Sequence, residues 1–466
     1  MATVFRTERD SMGEMQVPAE AYYAAQTARA LANFRISGRH FPRRFIAALG
    51  WVKAAAARAN VALGLLPERP GEAIERAALE VADGRFDDQF VVDVFQTGSG
   101  TSTNMNANEV IANRAIELLG GRRGDHALVH PNDHVNMGQS TNDVFPTAIH
   151  VAALTGVENH LLPALRSLAG AFEQKSGELA DVVKAGRTHL QDAVPVTLGQ
   201  ELGGYASVIH HGIARVEHTR AHLAELAIGG TAVGTGLNAA PEFAARVVAE
   251  LRARTHQMFR RADNPFEALQ NRDAAVELSG ALKVVAVGVM KIANDLRLLS
   301  SGPRTGLAEI ALPATQPGSS IMPGKVNPVI PEAATMVAAQ VIGHDAAIAV
   351  AAMNGNLELN VMMPLIAYDL LESIEILGNA CTALAEQCVQ GITADRARCR
   401  HYAERSGALV TALAPVIGYD AAAKIYADAL ARDVPIRQAI LDAGGVAPER
   451  VDEILDLMKL TRGGRA

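Results

Sequence analysis

The chain has 466 residues, of which 49% are hydrophobic and 4% aromatic, and its net charge is 43 − 50 = −7. This length allows two or three domains with a large core, and the acidic balance argues against a general nucleic-acid-binding surface. No stretch reaches the roughly 18 uncharged apolar residues that span a bilayer, and Met1-Ala2-Thr3-Val4-Phe5-Arg6 lacks a hydrophobic signal core. We expect a soluble, cytoplasmic protein that binds neither nucleic acid nor membrane.

Three cysteines, Cys381, Cys388 and Cys399, are too few and too clustered for a disulfide framework. In a helix, Cys381 and Cys388 would lie roughly 10 Å apart along the axis, beyond the Cα limit of about 7 Å for a disulfide bridge. We expect packing roles and a reducing compartment.

Several long windows show helical periodicity, and they predict an all-α protein. Between Leu278 and Leu299, apolar residues recur every three or four positions. Residues 154–179 and 202–226 repeat this pattern over a length typical of rod-like helices. Alanine-rich rods expose a wider apolar stripe than one chain can cover. We therefore predict a long helix bundle shared between subunits.

Glycine and proline clusters separate the predicted helices and hold most of the interesting polar residues. Near residue 392 the chain changes to shorter, more charged segments, which indicates a small C-terminal domain. We predict three domains, comprising residues 1–139, 140–392 (the long helices) and 393–466.

Four separated segments offer small hydroxyl and amide side chains: Thr97 to Asn104, Ser140 to Asn142, Thr188-His189, and the stretch from Gly318 to Pro328. Each segment alone is typical of a helix cap or a turn. Together they could line a pocket that binds a small diacid through hydrogen bonds and one cation, without a metal.

His189 lies in a polar patch that interrupts an otherwise helical region, and it is a candidate proton-transfer residue. A capping or core histidine is the alternative. Glu332 could orient such a histidine, or it could serve as a helix N-terminal carboxylate after Pro331. From the residues alone, His189 would be the base.

The segment Gly318-Ser319-Ser320-Ile321-Met322-Pro323-Gly324-Lys325-Val326-Asn327-Pro328 predicts an anion-binding loop. It is not a nucleotide phosphate loop, because five residues separate the glycines and Val326 follows the lysine where a magnesium-binding hydroxyl would stand. Ser319 instead precedes Lys325. This order favours acid–base chemistry on a carboxylate.

Cofactor and metal patterns are weak. Gly234-Thr235-Gly236 imitates a dinucleotide fingerprint, but no alternation of strands and helices surrounds it, and close backbone approach at a helix junction is the preferred interpretation. His211, His218 and His222 share one predicted helix, from which three ligands cannot reach one ion. We expect no cofactor and no metal.

The order of the polar motifs resembles that of class II fumarases, within the fumarase/aspartase superfamily. The resemblance covers almost the whole chain, and the motifs that carry it are Thr97-Gly98-Ser99-Gly100-Thr101, Asn104-Met105-Asn106, His130-Pro131-Asn132-Asp133, Gln139-Ser140-Thr141-Asn142-Asp143, Gly186-Arg187-Thr188-His189, Gly230 to Gly236, and the loop that contains Ser319. It implies a three-domain, mainly helical homotetramer with each active site built from three subunits.

The resemblance also implies roles. Ser319 resembles the catalytic serine that removes the Cβ proton, with His189, supported by Glu332, as its partner in proton transfer. The residues that resemble substrate ligands are Ser99, Gly100, Thr101, Ser140, Thr141, Asn142, Thr188, Ser320, Lys325, Val326 and Asn327. Those that resemble an accessory dicarboxylate site are His130, Pro131, Asn132 and Asp133.

The implied reaction is reversible hydration of fumarate to (S)-malate. Aspartate ammonia-lyase is the main alternative, because Leu190 to Pro195 and Val329 to Glu332 lean towards aspartases. Ser99 favours hydration, since aspartases tend to carry Gly-Gly-Ala-Gly there and a hydroxyl can both donate to and accept from water. A non-catalytic structural member of the superfamily is a further alternative, against which the intact set of catalytic residues argues.

Overall fold

The computed structural model describes residues 4–464 of the chain. Helical structure accounts for 62% of it, and the strands are short, which confirms the predicted all-α class. The α-helices are α1 (Ala25–Asn33), α2 (Arg43–Ala62), α3 (Glu68–Ala82), α4 (Thr101–Leu118), α5 (Thr141–Gly156), α6 (Leu162–Glu178), α7 (Leu198–His218), α8 (Arg220–Leu223), α9 (Phe243–Thr255), α10 (Pro265–Gln270), α11 (Asp273–Leu299), α12 (Val329–Ala352), α13 (Met363–Gln387), α14 (Arg396–Arg405), α15 (Val410–Ile417), α16 (Tyr419–Arg432), α17 (Ile436–Ala443), α18 (Pro448–Ile454) and α19 (Leu457–Leu460).

The strands of the described residues pair in twos. They are β1 (Phe5–Asp10), β2 (Gly13–Pro18), β3 (Val183–Thr188), β4 (Gln191–Thr197), β5 (Glu225–Leu226), β6 (Arg260–Arg261), β7 (Ile310–Ala311), β8 (Gly355–Asn356), β9 (Leu359–Asn360) and β10 (Thr393–Ala394). The pairs are β1 with β2, β3 with β4, β5 with β6, β7 with β10 and β8 with β9. Only the β5–β6 pair of the described chain is parallel. Pairs this small close loops and do not form a layer.

Within the described residues, the chain divides into two compact units. The first runs up to Pro163 and includes Ala214–Ala286 and Ala339–Gly378, and the second comprises Ala164–Ile213, Val287–Ala338 and the chain from Asn379 onward. Residues 1–3, 465 and 466, which the domain prediction also covered, lie outside the described residues. The boundaries at 139/140 and 392/393 stay a prediction.

In the first unit, α2 packs against α3, α5 and α9. Its alanines 54, 55, 56, 57 and 59 are buried, so neighbouring helices approach it from several sides. At Gly50 an added Cβ would lie 2.7 Å from the Ala78 carbonyl oxygen, so only glycine permits this separation of α2 and α3.

The predicted apolar stripe of α11 is confirmed, because Leu282, Val285, Val289, Ile292 and Leu296 are all buried. The predicted helix over residues 154–179 is one nearly continuous run, in which a π-helical turn at Val157–Leu161 joins α5 to α6. The helix predicted over residues 202–226 ends earlier, at His218, and Glu225–Leu226 forms a strand. His222 therefore lies on α8, outside the helix that carries His211 and His218, and its Nδ1 lies 2.6 Å from Glu277.

The second unit contains a core of its own near the C-terminus. Leu409, Leu413, Ile436, Ile440 and Val451 belong to one buried cluster there. The three cysteines are free and buried, as expected of packing residues, and burial raises the pKa of each thiol to about 12.

Among the described helices, one, α12, is long and apolar enough to cross a membrane by length and composition alone. Glu332 and Asp345 interrupt the helix, and the uncharged stretch between them is shorter than a bilayer span.

Candidate active site

Ser99, Gly100 and Thr101 lie at the start of α4. The Ser99 and Thr101 hydroxyls share a hydrogen bond of 2.9 Å. Gly100 has φ 83°, and an added Cβ would lie 2.2 Å from Cδ2 of Phe145. This tight turn places both hydroxyls at a helix N-terminus, where the partial positive charge of the helix favours an anion.

Ser140, Thr141 and Asn142 begin α5. The Ser140 hydroxyl accepts the Asn142 N–H at 3.2 Å, and the Asp143 carboxylate accepts the Ser140 N–H at 2.9 Å, which closes a capping box. The Asn142 side-chain amide donates to the Ala232 carbonyl oxygen at 2.8 Å. This segment is therefore a helix cap, as its residue types predicted, and the cap also orients its polar side chains.

Two charged residues beneath this cap were not predicted from the sequence. Lys53 and Asp143 are both fully buried, and burial lowers the pKa of Lys53 to about 7 and raises that of Asp143 to about 6. The sequence did carry a signal for each. Lys53 interrupts an apolar, alanine-rich run, and Asp143 stands three residues after Ser140 in the capping-box position.

The residues predicted to form an accessory site lie at a π-helical turn, Pro131–Val135, which His130 caps. His130 Nδ1 accepts the N–H groups of Asn132 and Asp133, each at 3.2 Å. Because a nitrogen that accepts N–H is unprotonated, the 3.4 Å approach of the Asp133 carboxylate to Nδ1 is not an ion pair. The ring proton then lies on Nε2, which is a donor for a ligand.

Thr188 and His189 lie at the tip of the β3–β4 hairpin. His189 and Leu190 are the two turn residues of this hairpin, with φ 57° and φ 60°, and the hairpin interrupts the helical run between α6, which ends at Glu178, and α7, which begins at Leu198. Positive φ at both positions is typical of a type I′ hairpin turn. Thr188 and His189 are exposed there, and neither is buried in a core.

A buried ionic cluster fixes the base of this hairpin. Both oxygens of Glu309 accept from Arg187 Nη1, at 3.0 and 2.9 Å, and Lys184 Nζ lies 3.3 Å from the same carboxylate. The Glu309 side chain is fully buried. Lys184 Nζ also lies 3.1 Å from Glu201 Oε2. The cluster ties β3, which ends at Thr188, to Glu309.

The loop from Gly318 to Pro328 is closed by its own hydrogen bonds. The Gly318 N–H donates to the Lys325 carbonyl oxygen at 2.7 Å, and the Asn327 side-chain amide donates to the Gly318 carbonyl oxygen at 2.6 Å. An added Cβ at Gly318 would lie 2.7 Å from the Asn327 nitrogen. The loop is therefore a compact turn held by its own backbone and by the Asn327 side chain.

Inside this loop the Ser319 hydroxyl accepts two backbone N–H groups, from Ile321 at 3.2 Å and from Met322 at 3.0 Å. Ser320, Lys325 and Val326 are exposed. Within the part of the chain that the structure describes, the Lys325 ammonium has no hydrogen bond or ion pair. Its donors are available to a ligand.

Glu332 lies in the first turn of α12, where a carboxylate interacts favourably with the helix dipole. No hydrogen bond or ion pair joins Glu332 to His189 among the described residues. The predicted pairing is therefore not made within one chain.

The site residues fall into two sets. Ser99, Gly100, Thr101, Ser140, Thr141, Asn142 and the accessory residues His130, Pro131, Asn132 and Asp133 belong to the first unit. The second unit contains Thr188, His189, Ser319, Ser320, Lys325, Val326, Asn327 and Glu332.

Among residues 4–464, no group of three or more His, Cys, Asp or Glu side chains is arranged to hold a metal ion.

Gly234 and Gly236 permit close backbone approach, as expected. An added Cβ would lie 2.7 Å from Phe266 Cδ1 at Gly234 and 3.1 Å from the Gly229 carbonyl oxygen at Gly236. These glycines shape the loop that holds Asn142.

Comparison with known proteins identifies the family. Residues 13–343 match the family model described as Lyase, and residues 409–462 match the one described as Fumarase C C-terminus. The class II fumarate hydratase of Mycobacterium tuberculosis is 53% identical over 463 residues, which cover 98% of this chain and 96% of the relative. That of Thermosynechococcus vestitus is 52% identical and covers 97% of each chain.

Solved structures agree with the sequence relatives. The class II fumarase of Schistosoma mansoni superposes with a TM-score of 0.95 at 40% identity, over 98% of this chain and 99% of that one. A Brucella melitensis structure described as fumarate lyase:delta crystallin gives a TM-score of 0.94 at 49% identity, over 98% of this chain and 100% of that one. With these matches over nearly its whole length, the chain belongs to the class II fumarase family.

Proposed function

We propose that the chain is a fumarate hydratase, a hydro-lyase that interconverts fumarate and (S)-malate. The observation that carries the chemistry is the pair of N–H groups, from Ile321 and Met322, that point at the Ser319 hydroxyl. A serine hydroxyl is a poor base. Two backbone donors stabilise its alkoxide, because hydrogen bonds to the charged form favour that form.

When malate is the substrate, the Ser319 alkoxide takes the Cβ proton. The electron pair of the broken C–H bond moves onto the adjacent carboxylate. The resulting aci-carboxylate carries two negative charges on that group, which preorganised donors must stabilise. Lys325 and Asn327, on the same loop, supply a cation and an amide for this carboxylate. Thr188 and Ser320 serve as neighbouring donors.

The second half of the reaction expels the hydroxyl group. The C–O bond breaks, the electron pair of the intermediate forms the double bond, and the hydroxyl leaves with one proton as water. His189, with Glu332 as its support, supplies this proton and in reverse activates water. Ser99 and Thr101 hold the water, and Ser140, Thr141 and Asn142 bind the second carboxylate, with Gly100 and Val326 giving backbone contacts.

We assign the nucleophile as water because of Ser99. Its hydroxyl already shares a hydrogen bond with Thr101, at 2.9 Å, and it retains capacity to donate to or accept from a water molecule. An alanine in its place would offer neither. The pocket therefore favours hydration over ammonia addition.

We propose a homotetramer whose active sites combine three subunits. The long helices carry exposed apolar side chains that include Val208, Val284, Val287, Met336 and Val350, with exposures from 42% to 68%. Solvent contact along such helices is unfavourable, and subunit contact removes it. His189 and Glu332, which make no contact within one chain, would meet across subunits.

The same reasoning supports three subsidiary proposals. The free, buried thiols fit a cytoplasmic, reducing environment. The donor at Nε2 of His130, beside Asn132 and Asp133, fits an accessory dicarboxylate site. The separate C-terminal core of Leu409 and its neighbours fits a small domain over residues 393–466.

The test follows the ultraviolet absorbance of the fumarate double bond, with malate alone and then with aspartate alone. Fumarate is expected from malate only, and its formation from aspartate only would make the chain an ammonia-lyase. Ser319→Ala should abolish turnover, whereas Ser11→Ala, at an exposed turn between β1 and β2, should not change it. Equal activity of the two variants would remove Ser319 from the mechanism.

A further inference from the structure

The buried Asp143 carboxylate ties together two segments of the first unit. Its Oδ1 accepts the Ser140 N–H at 2.9 Å, and its Oδ2 accepts the N–H groups of Gly229 at 2.9 Å and Thr231 at 3.0 Å. One carboxylate thus joins the start of α5, which carries Ser140 to Asn142, to the loop that begins at Gly229.

That loop is held in an unfavourable conformation and in turn orients Asn142. Thr231 is buried and has φ 52°, a region that β-branched residues rarely adopt. Such conformations persist only where the surroundings enforce them, and here the Asp143 carboxylate holds the Thr231 N–H. The next carbonyl, that of Ala232, accepts from the Asn142 side-chain amide at 2.8 Å.

Lys53 holds the segment that precedes Ser140. Its ammonium donates to Asn136 Oδ1 and Gln139 Oε1, each at 2.9 Å. The side-chain amide of Asn104 donates to the same Asn136 oxygen at 3.2 Å and to the Thr141 hydroxyl at 3.0 Å. Lys53 is therefore connected to Thr141 through two asparagines.

The two charges are buried without a direct ion pair. No carboxylate of the described chain lies within ion-pair distance of Lys53, and the partners of the Asp143 oxygens are backbone N–H groups. Each charge partly offsets the cost of burying the other. Removal of one leaves the other uncompensated.

We infer that Asp143 and Lys53 are coupled positioning residues, which act through Ser140, Thr141 and Asn142 to fix the part of the substrate pocket that the first unit supplies. The inference rests on the proposed hydration of fumarate. Neither side chain is assigned a contact with substrate. Their removal should therefore misplace the ligands of the second carboxylate while the proton-transfer residues stay intact.

The test uses Asp143→Asn and Lys53→Met in the full-length enzyme. An asparagine keeps the shape of the side chain but replaces one acceptor oxygen with a donor, so at least one of the three N–H groups loses its partner. Methionine fills a similar volume without a charge but leaves Asp143 uncompensated, so folding of Lys53→Met is verified by its denaturation midpoint before the kinetics are measured. Both variants should lower kcat/KM by about tenfold or more, as expected of a small misplacement of substrate.

Glu109→Gln is the matched control. Glu109 is also a buried carboxylate of the first unit that accepts three backbone N–H groups, from Ala24, Gln26 and Thr27, at 2.8, 2.8 and 3.2 Å. None of these donors belongs to the proposed site. Glu109→Gln should lower thermal stability and leave kcat/KM of the folded enzyme unchanged. If Asp143 had a purely structural role, Asp143→Asn would give this same result.

A double-mutant cycle tests the coupling. Because each single change leaves one uncompensated charge, the double variant should lose less in kcat/KM than the product of the two single losses. Wild-type activity is measured first, and failure to convert malate would refute the proposed function. If the wild type is active and kcat/KM of Lys53→Met or of Asp143→Asn is unchanged, the positioning role is refuted and the proposed function stands. If the loss in the double variant equals the product of the two single losses, the coupling is refuted.

Discussion

The Ser99 hydroxyl oxygen lies 2.9 Å from that of Thr101, so that the two side chains share one hydrogen bond across Gly100, the residue that precedes α4. Ser99→Ala removes this bond and the group proposed to hold water. We expect kcat/KM for malate to fall about tenfold, which corresponds to one hydrogen bond of roughly 1.4 kcal/mol.

Ser99→Thr retains the hydroxyl and should restore most of this activity in the same assay. Equal losses in Ser99→Ala and Ser99→Thr would show that size at this position matters and that water is held elsewhere. A gain of fumarate formation from aspartate in Ser99→Ala would instead strengthen the assignment of Ser99 to the choice of nucleophile.

Gly100→Ala should destabilise the protein for two reasons. The residue has φ 83°, and the added Cβ would lie 2.2 Å from the Phe145 ring. Overpacking costs about 1–3 kcal/mol, and the backbone conformation adds roughly 1 kcal/mol. The midpoint of urea denaturation should fall accordingly.

Gly120→Ala is the control for Gly100, since Gly120 has nearly the same φ, 86°, and nothing within 4 Å of an added Cβ. It should show the smaller backbone effect alone. If both variants have the same denaturation midpoint, then contact with Phe145 does not contribute.

Glu309→Gln should weaken the base of the β3–β4 hairpin. The buried carboxylate is shared by Arg187 and Lys184, and its loss removes the ion pair with Arg187 and leaves Lys184 with Glu201 as its carboxylate partner. We expect a destabilisation of about 3 kcal/mol, together with a lower kcat because His189 stands on this hairpin. Urea denaturation and steady-state kinetics measure the two effects.

Asp181→Asn removes an exposed ion pair with Arg396 in the same unit and serves as the comparison for Glu309. Surface pairs contribute little, so both the denaturation midpoint and kcat should stay near wild type. A loss as large as that of Glu309→Gln would contradict the importance given to burial.

The pairing of Glu80 with Arg114 should make stability depend on acid pH. The hydrogen bond from Arg114 holds the pKa of Glu80 below its usual 4.5. The folded state therefore prefers the ionised form, and this stabilisation is complete above pH 4.5 and is lost as pH falls through the lowered folded-state pKa. Glu80→Gln should thus lose stability at neutral pH.

The measurement compares wild type with Glu80→Gln by denaturation from pH 7 down to pH 3. The difference between them should be constant at the upper end and should shrink below about pH 4.5, the usual pKa of the group. A difference that grows on acidification would reverse the sign and refute the assignment.

Local pattern and motif order determined much of this protein. The stripe of Leu282, Val285 and Val289 predicted α11, because one face of a helix must be apolar to be buried. The composition of Gly318 to Pro328 predicted a loop, and the resemblance carried by Ser319, Lys325 and Asn327 led to the family that the comparisons confirm.

The tertiary structure decided what depends on contacts between distant segments. Sequence periodicity left His189 between two predicted helices, over residues 154–179 and 202–226, and only the pairing of β3 with β4 places it at a hairpin turn. Lys53 and Asp143 were not predicted as a buried pair from the sequence. Only folding brings Gln139, Gly229 and Thr231 to them, since a buried charge is tolerated where distant polar groups converge on it.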